Sequence, residues 1–473
     1  MRNRFVKDVA IVTVGNIIFM IANILVGFLL PLLISVEDYG YYKIYTLYLS
    51  YSGLLHFGFI DGVFLEYSGF SYDELDHKQF RTFSFFMIML ESVLAVVIIL
   101  FSLIFLKGEY LIIGIFIALG LIAINIGQYY QYVAQAVSRF SQFSKRKIYN
   151  SIGIIASLLF LWIYNKLNAD KQATYLMYVS MSLIVSFALT LWFVLTYRDI
   201  TFGEKNSLIK EKSNIFNLLK KGFILTVAYE ASRIVLLIDR QFVSILFPLD
   251  TYAKYAFAYN ILSCVTSVII GIATVLFPKL KRMSVDESVS FFPSYMGLLS
   301  AIVCFFLAGY YPVVWIINGI LPKYSESLVY FKIVFPVLAL SSCITIIIFT
   351  YYKIYDKIQI FLYVCLGALG ISIITNFIAY YLFKSAEAIS IASVITTIIW
   401  YLLSILYLSK KYDVFWINNF IYSLIMIVIF YGIVFIIKNS IASMIIYIVL
   451  FGIVTYIMQK KSICHFIKST KNE

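Results

Sequence analysis

Residues 220–248, KKGFILTVAYEASRIVLLIDRQFVSILFP, could cross a membrane as one helix, since a spanning helix needs about 20 mostly apolar residues. The stretch nevertheless carries Glu230, Arg233, Asp239 and Arg240. A charge near the bilayer centre costs roughly 2.5–3.5 kcal/mol, so such residues normally face a hydrated cavity or a partner. At about 100° per residue, Arg233 and Arg240 lie within about 20° of each other. The stretch therefore predicts a cationic stripe facing the interior of a helical membrane protein. Structural ion pairs, such as Asp239 with Arg240, are the alternative.

The composition of the whole chain is that of a membrane protein. Of its 473 residues, 62% are hydrophobic and 13% are charged, whereas soluble domains carry about 25% charged residues. Apolar runs of helix length repeat along the chain, so we predict an all-α polytopic membrane protein. The basic segment MRNRFVKD (1–8) precedes an apolar run, 9–34. That run is too long for a signal-peptide core and is interpreted as a retained first helix.

The net charge of +13 does not indicate nucleic-acid binding, because the basic residues lie in short loops, where they set membrane topology. The five cysteines are scattered, without the spacing of a metal site or a disulfide framework. No HExxH, GxSxG or phosphate-binding loop motif occurs. We expect no metal, no cofactor, no nucleic-acid partner and no catalytic residues. The acidic pair Glu37–Asp38 is interpreted as a helix cap, since a lipid-dependent glycosyltransferase would need a sizeable outside loop.

We predict about fourteen spans, at residues 9–34, 43–65, 82–106, 110–137, 148–167, 173–196, 221–247, 254–278, 291–318, 327–349, 358–383, 386–408, 415–437 and 440–459. With the N-terminus inside, most basic residues fall in inside loops, including Arg146 and Lys147 after the fourth span. This bias places both termini in the cytoplasm. The predicted parts are an N-lobe of spans 1–6 (1–197), a basic cytoplasmic linker (198–220), a C-lobe of spans 7–12 (221–408), and two accessory spans with a basic tail (409–473).

An internal repeat relates the two predicted lobes. SVEDYGYYKIYTLYLS (35–50) aligns without gaps with PLDTYAKYAFAYNILS (248–263), matching Tyr42 with Tyr255 among others. Because six spans separate the copies, both lobes run in the same direction. The repeat therefore predicts two bundles related by an axis along the membrane normal, with the substrate bound between them.

Amide side chains follow helical spacing in two predicted spans. Asn16 and Asn23 are seven residues apart and share one face of the first span. The fourth span carries a stripe of four amides, namely Asn125, Gln128, Gln131 and Gln135. These amides either line a hydrated path or bind neighbouring helices, at about 0.6 kcal/mol per hydrogen bond on average.

Ionisable residues also occur inside predicted spans. Asp61 lies near the cytoplasmic end of the second span, where it can reach water, whereas Glu91 lies near mid-depth. Glu91 and Glu230 are candidates for ion coupling. Lys332 lies close enough to the outer surface for its ammonium to reach water. For His56, a hydrogen-bonded packing role is the alternative to proton transfer.

Four segments carry a family likeness: GNIIFMIANILVGFLLPLLISVEDYGYYK (15–43), GLLHFGFIDG (53–62), IDRQFVSILFPLDTYAKYAFAYN (238–260) and VLFPKL (275–280). In these segments and in its span layout, the chain resembles the polysaccharide transporter family. That family comprises the O-antigen and capsule flippases of the multidrug/oligosaccharidyl-lipid/polysaccharide exporter superfamily. The pair Asp239–Arg240 and Tyr255 stand where the family pattern has Asp-Arg and a tyrosine.

This resemblance implies two pseudo-symmetric six-helix lobes facing each other in a V around a central cavity, with two accessory C-terminal helices. It implies a flippase that moves undecaprenyl-diphosphate-linked oligosaccharide from the inner to the outer leaflet of the bacterial cytoplasmic membrane. Alternating access would drive this step of O-antigen or capsule assembly. The expected partners are that lipid, the membrane lipids, and the polysaccharide polymerase and chain-length regulator of the same pathway.

Polar residues inside the spans suit such a cargo. Arginine is always charged and binds phosphate bidentately, so Arg233 is the first expected contact of the diphosphate and Arg240 the second. The other expected substrate contacts are Asn16, Asn23, Gln128, Gln131, Tyr255, Tyr259 and Lys332. An ion-coupled exporter of small molecules is one alternative, and it would favour cavity carboxylates. A membrane polysaccharide polymerase or glycosyltransferase is the other, and it would need a large outside loop.

Overall fold

The chain folds into helices joined by short connections. The computed structural model describes residues 2–168, 170–273, 283–437 and 439–471, and of residues 2–10, 270–273 and 467–471 it describes the backbone only. By its internal packing the chain divides into two compact parts: unit 1, Met1–Glu230, and unit 2, Ala231–Glu473.

Unit 1 consists mainly of long helices. They are α1 (Arg2–Leu33), α2 (Val36–Leu49), α3 (Phe59–Tyr67), α4 (His77–Phe105), α5 (Glu109–Ala136), α6 (Phe140–Leu167), α7 (Tyr175–Thr196) and α8 (Leu208–Val235), whose last turn belongs to unit 2. Helix α1 packs along α6, α4 packs along α5, and α7 packs against both α5 and α6.

The helices of unit 2 include more short ones and are more irregular. They are α9 (Ile238–Leu246), α10 (Leu249–Ala273), α11 (Val285–Phe306), α12 (Tyr310–Ile320), α13 (Ser327–Val334), α14 (Leu338–Ser342), α15 (Phe349–Ile354), α16 (Ile358–Phe383), α17 (Ala386–Tyr412), α18 (Ile417–Ile436) and α19 (Ser440–Lys471). A 3-10 turn and a π-helical segment join α13, α14 and α15. Helix α16 packs along α17, and α11 packs along α19.

Short polar side chains fix where several helices begin. Ser35 accepts a hydrogen bond of 2.9 Å from the backbone N–H of Asp38 at the start of α2. Asp76 accepts from two backbone N–H groups at the start of α4. Such caps satisfy N–H groups that have no partner inside the helix. Glu37 and Asp38 both lie in this capped first turn of α2, which agrees with their interpretation as part of a helix cap.

Eleven helical segments in the described part of the chain are long and apolar enough to cross a membrane. They are Ile11–Leu33, His77–Phe105, Glu109–Ala136, Phe140–Leu167, Tyr175–Thr196, Val285–Ile320, Ser327–Ile354, Ile358–Phe383, Ala386–Tyr412, Ile417–Ile436 and Ser440–Phe466. The chain is therefore an all-α, multi-pass membrane protein. The other three predicted spans are 43–65, divided between α2 and α3, 221–247, divided between α8 and α9, and 254–278, which overlaps α10. The count of fourteen stays a prediction.

The second predicted span is interrupted near its middle. A 3-10 segment, Ser50–Leu54, follows α2, and Phe57 and Gly58 then adopt positive φ angles of 50° and 85° before α3 begins. Helix α3 crosses α8 through glycines. A Cβ atom added at Gly222 would lie under 3.0 Å from backbone atoms of both Gly58 and Gly62. Only glycine permits this close approach of two helix backbones.

The internal repeat also appears in the helix boundaries. Its alignment pairs Val36 with Leu249, and these residues begin α2 and α10. Both helices carry acidic residues in the first turn. The two aligned sequence segments therefore form corresponding helices, which begin at aligned residues.

Candidate functional site

Unit 1 contains a cavity of about 400 Å³ between α1, α2, α5, α6 and α7. This volume lies within the range of small-molecule sites, roughly 300–1,000 Å³. Apolar residues form part of the wall, and the polar part is formed by Asn23, Tyr42, Tyr45, Thr46, Gln131, Arg146, Lys147, Asn150, Tyr178, Ser182 and Ser186. The cavity thus combines cations, amides and hydroxyls within one helical bundle.

Arg146 projects from the second turn of α6 and contacts α5 and α7. Its Nη1 donates a hydrogen bond to the side-chain oxygen of Gln131 on α5. Its Cζ lies 5.3 Å from the ring centre of Phe193 on α7. A side chain at Gly127 on α5 would collide with Nη2, so the missing side chain makes room for the guanidinium. Within the described residues Arg146 forms no salt bridge.

Lys147 follows directly and points toward α1. Its Nζ donates a hydrogen bond of 2.6 Å to Oδ1 of Asn16. The same ammonium lies 4.7 Å from the ring centre of Phe143 and 5.7 Å from that of Phe19. No acidic partner of Lys147 occurs in the described part of the chain. Its contacts are therefore an amide and two aromatic faces, which position the charge without neutralising it.

The cavity lacks acidic residues among the described side chains that form its wall. Two adjacent cations that form no salt bridge with the described residues create a positive potential in a site with low-dielectric walls. A guanidinium binds phosphate through two parallel hydrogen bonds, and a lysine binds it as a point charge. The chemistry of this wall therefore suits an anionic, phosphate-bearing group surrounded by hydroxyls.

The structure places the predicted amides at different positions around this cavity. Asn23 and Gln131 line it, and Asn16 binds the ammonium of Lys147. Gln128 is half-buried on α5 and lies outside the described lining.

Arg146 and Lys147 are not among the predicted contacts, because the apolar pattern predicts a span starting at residue 148 and leaves both cations in an inside loop. In the structure α6 begins earlier, at Phe140. The apolar residues Phe140 and Phe143 lie three residues apart, as on one face of a helix, and this spacing is the sequence signal for a longer helix. A helix extended by two turns carries both cations into the bundle.

In unit 2, Asp239 joins several of the predicted residues at the start of α9. Its side chain is buried, and Oδ2 accepts hydrogen bonds from the hydroxyls of Tyr255 (2.9 Å) and Tyr259. Its Oδ1 lies 3.8 Å from Nε of Arg240. The Arg240 guanidinium also donates to the carbonyl of Leu236 and lies 4.5 Å from the Tyr259 ring centre. These contacts match the ion-pair interpretation of Asp239 and Arg240, and their substrate role stays a prediction.

Three further predicted residues lie elsewhere. Arg233 is half-buried in the last turn of α8. Glu230 is buried, with its carboxylate next to Gly53. Lys332, on α13, places its ammonium 5.0 Å from the ring centre of Phe435. The roles proposed for these three side chains stay predictions.

Glu91 is fully buried between α4 and α5. Its Oε1 accepts a hydrogen bond of 3.0 Å from Asn125, whose amide also donates to the carbonyl of Ser52 in the interrupted span. The other carboxylate oxygen has no hydrogen-bond partner in the described part of the chain. This second oxygen is free to accept a hydrogen bond, and the ion-coupling role of Glu91 stays a prediction.

Asp61 lies on α3 and faces α8. Its Oδ2 accepts a hydrogen bond from the hydroxyl of Thr226 and lies 4.0 Å from Nε2 of His56. His56 accepts at Nδ1 from the backbone N–H of Gly58 (3.2 Å), which matches the packing interpretation of this histidine. Asp61 thus links the interrupted span to α8.

Solved membrane transporters share this fold. The inward closed structure of the lipid II flippase MurJ aligns with a TM-score of 0.70 at 13% identity, over 96% of this chain and 99% of that one. An inward-facing multidrug resistance MATE family transporter of the MOP superfamily aligns with a TM-score of 0.61 at 12% identity, over 88% of this chain and 96% of that one. A MOP superfamily transporter from Pyrococcus furiosus aligns with a TM-score of 0.56 at 12% identity, over 86% of this chain and 96% of that one. At such identities the likeness concerns the fold, and the prediction of a transporter rather than an enzyme agrees with it.

A search of curated protein sequences gives no match. The family model described as "Polysaccharide biosynthesis protein" matches residues 5–284, which is more than half of the 473 residues. That range includes nearly all of unit 1, with its cavity, and the Asp239 cluster of unit 2. The resemblance inferred from the sequence is thereby confirmed at the level of the family: the chain belongs to the polysaccharide biosynthesis protein family and has the fold of the MOP superfamily.

Proposed function

We propose that this chain is a flippase for undecaprenyl-diphosphate-linked oligosaccharide in the bacterial cytoplasmic membrane. It moves the lipid-linked repeat unit from the inner to the outer leaflet by alternating access, for the assembly of a surface polysaccharide such as O-antigen or capsule. In this proposal the chain spans the membrane fourteen times, and both termini are cytoplasmic.

The observation that carries this proposal is the cationic cavity of unit 1, whose described wall contains no acidic side chain. Arg146 and Lys147 present two positive charges whose described contacts are amides and aromatic rings. A diphosphate is a compact anion that cannot cross hydrocarbon unaided, and such a pair can replace part of its hydration. Amide and hydroxyl side chains in the same wall suit the sugar hydroxyls. The family described as polysaccharide biosynthesis protein supports a sugar cargo.

The fold is compatible with a lipid-linked cargo. MurJ, which shares the fold over nearly the whole chain, is described as a lipid II flippase. MATE transporters share it as well, so the fold alone does not choose between the two. The wall chemistry favours the flippase, because an exporter of cationic compounds would favour carboxylates in its cavity. The arginines predicted from the sequence, Arg233 and Arg240, remain candidates for a second phosphate contact.

The proposal is tested in a strain that lacks the chromosomal copy and expresses variants of the protein. Removing both cavity cations, with Arg146→Ala and Lys147→Ala together, should lower surface polysaccharide at least about tenfold, since charged hydrogen bonds contribute roughly 1.5–3 kcal/mol each. Lipid-linked oligosaccharide should accumulate in the inner leaflet. The matched control removes two exposed cations, with Arg198→Ala and Lys212→Ala, and should keep normal polymer. Normal polymer in a well-expressed Arg146/Lys147 double variant would refute the proposal.

A further inference from the structure

The cavity of unit 1 has two chemically different ends. Helices α5 and α6 are connected at residues 137–139, and Gln131, Arg146 and Lys147 lie near that connection. Helices α6 and α7 are connected at the opposite end of the bundle, where Tyr178 lies in the first turn of α7. The wall continues along α7 from Tyr178 for eleven residues, about 16 Å at 1.5 Å per residue. The cations therefore occupy one end of an elongated site.

Tyrosines gather at the other end. The rings of Tyr42 on α2 and Tyr178 on α7 are 5.3 Å apart in an edge-to-face arrangement. The backbone N–H of Tyr175 donates a hydrogen bond of 3.0 Å to Oδ1 of Asp38, which ties the start of α7 to the start of α2. Tyr45, one turn further along α2, also lines the cavity. The hydrogen bond between the starts of α2 and α7 thus holds this aromatic end in place.

Hydroxyl groups line the wall between the two ends. Ser182 and Ser186 are four residues apart on α7, so they share one face of the helix, and both line the cavity. The Ser186 hydroxyl donates to the carbonyl of Ser182 (2.8 Å), which leaves its oxygen able to accept a hydrogen bond from a ligand. Thr46 on α2 contributes a third hydroxyl to the wall.

We infer that this wall is a sugar subsite that selects among lipid-linked oligosaccharides, an inference that rests on the proposed function. With the diphosphate at Arg146 and Lys147, the first sugars of the cargo lie along Ser186 and Ser182 and end against Tyr178. Serine hydroxyls hydrogen-bond sugar hydroxyls, while the tyrosine ring provides a rigid apolar surface with a polar tip. A wall built to bind hydroxyls discriminates against ligands that lack them. The oligosaccharide is thus recognised separately from its diphosphate.

Titrations with two lipids, one carrying the oligosaccharide and one lacking it, distinguish the sugar subsite from the phosphate contacts. Purified protein in nanodiscs is titrated with undecaprenyl diphosphate and with the same lipid carrying the native oligosaccharide. The double variant Ser182→Ala and Ser186→Ala should weaken binding of the glycosylated lipid about tenfold, the expected loss for two neutral hydrogen bonds. Its affinity for the sugar-free lipid should equal that of the wild type. Arg146→Ala should weaken binding of both lipids.

A matched control exists in unit 2. Ser263 and Ser267 on α10 form the same intrahelical contact, in which the Ser267 hydroxyl donates to the carbonyl of Ser263 (2.8 Å). Replacing this pair with alanine should change neither affinity. Equal effects of the Ser182/Ser186 variant on both lipids, or no effect on either, would overturn the sugar subsite and leave the flippase proposal standing. A wild-type protein that binds neither lipid would overturn both.

Discussion

Gly127 and Arg146 share one space in unit 1, where the guanidinium fills the volume that a side chain on α5 would need. A Cβ atom at residue 127 would lie under 3.0 Å from Nη2 of Arg146. The cation therefore depends on a glycine nineteen residues earlier in the chain for its place in the cavity wall. This relationship connects a backbone property of α5 to the charge of the site.

Gly127→Ala should displace the guanidinium and reduce transport several-fold while the protein still folds. Overpacking of this kind costs typically about 1–3 kcal/mol, and a flexible arginine can absorb part of it by moving. Transport is measured as surface polysaccharide per membrane-inserted protein. The control is Gly370→Ala on α16, where an added Cβ meets nothing within 4 Å. Wild-type transport by Gly127→Ala would show that the position of Arg146 does not matter.

Gly222→Ala should destabilise the protein far more than it alters the cavity. Its Cβ would meet backbone atoms of Gly58 and Gly62, and backbone cannot move aside as a side-chain end can. We expect a loss of about 1–3 kcal/mol or more, seen as a lower midpoint of thermal unfolding in detergent. Gly452→Ala, with open space around its Cβ, should leave the midpoint unchanged. An unchanged midpoint for Gly222→Ala would contradict the crossing of α3 and α8.

Asp239 should stabilise the folded protein through its hydrogen bonds with Tyr255 and Tyr259. Removing one partner of a buried ion pair costs about 3–5 kcal/mol, so Asp239→Ala should lower the unfolding midpoint strongly. Asp239→Asn should cost less, because the amide oxygen still accepts a hydrogen bond from Tyr255 or Tyr259. Asp250→Ala removes an exposed carboxylate and should have little effect, as surface pairs contribute about 0–1 kcal/mol. Equal midpoints for all three variants would refute this role.

Glu211 should make the stability of the protein dependent on pH. Burial alone would raise the pKa of this carboxyl, but hydrogen bonds from the amides of Asn214, Gln79 and Asn206 hold the pKa below its usual range. A folded pKa below the unfolded value of about 4.3 contributes stability above that pH, and the contribution disappears as pH falls through the folded pKa. Thermal unfolding is measured in buffers from about pH 5 to about pH 3. Over this range the unfolding midpoint of the wild type should drop more steeply than that of Glu211→Gln. Parallel curves would contradict the prediction.

The helical membrane fold follows from composition and periodicity, because long apolar helices are the simplest way to satisfy backbone groups in lipid. Interruptions are harder to predict. Nothing in the letters around Phe57 and Gly58 demands their positive φ angles, which arise where α3 packs against α8. Helix breaks of this kind depend on contacts between segments far apart in the sequence. The sequence therefore predicts where these spans lie but not where their helices break.

The candidate site was only partly predictable. Asn23 and Gln131 stand out as amides inside apolar runs, and both line the cavity. Arg146 and Lys147 lie within two turns of the start of α6, where a cation can serve equally as a loop residue or a cavity residue. Their surroundings decide between the two, namely the space at Gly127 and the amide of Asn16. Counting the charges in the loops reveals neither the space at Gly127 nor the hydrogen bond to Asn16.

The internal repeat shows how aligned residues acquire different roles. Tyr42 lines the cavity of unit 1, whereas its counterpart Tyr255 is buried and donates to Asp239. The same alignment, extended without gaps, pairs Asp239 with Val26, which is apolar and also lines the cavity. A buried carboxylate draws the tyrosines together in unit 2, and the valine leaves the wall of unit 1 open. The repeat predicted the shared helices but not this difference.

The most direct test is the dissociation constant of the purified protein for undecaprenyl-diphosphate-linked oligosaccharide, measured for the wild type, the Arg146→Ala/Lys147→Ala double variant and Arg233→Ala. With the cavity cations as the phosphate contacts, the double variant should bind about a hundredfold more weakly, since two charged hydrogen bonds are lost. Arg233→Ala, which the sequence alone marks as the first contact, should then have the smaller effect. Unchanged affinity in a folded double variant, with binding lost in Arg233→Ala instead, would contradict the assignment of the head group to unit 1.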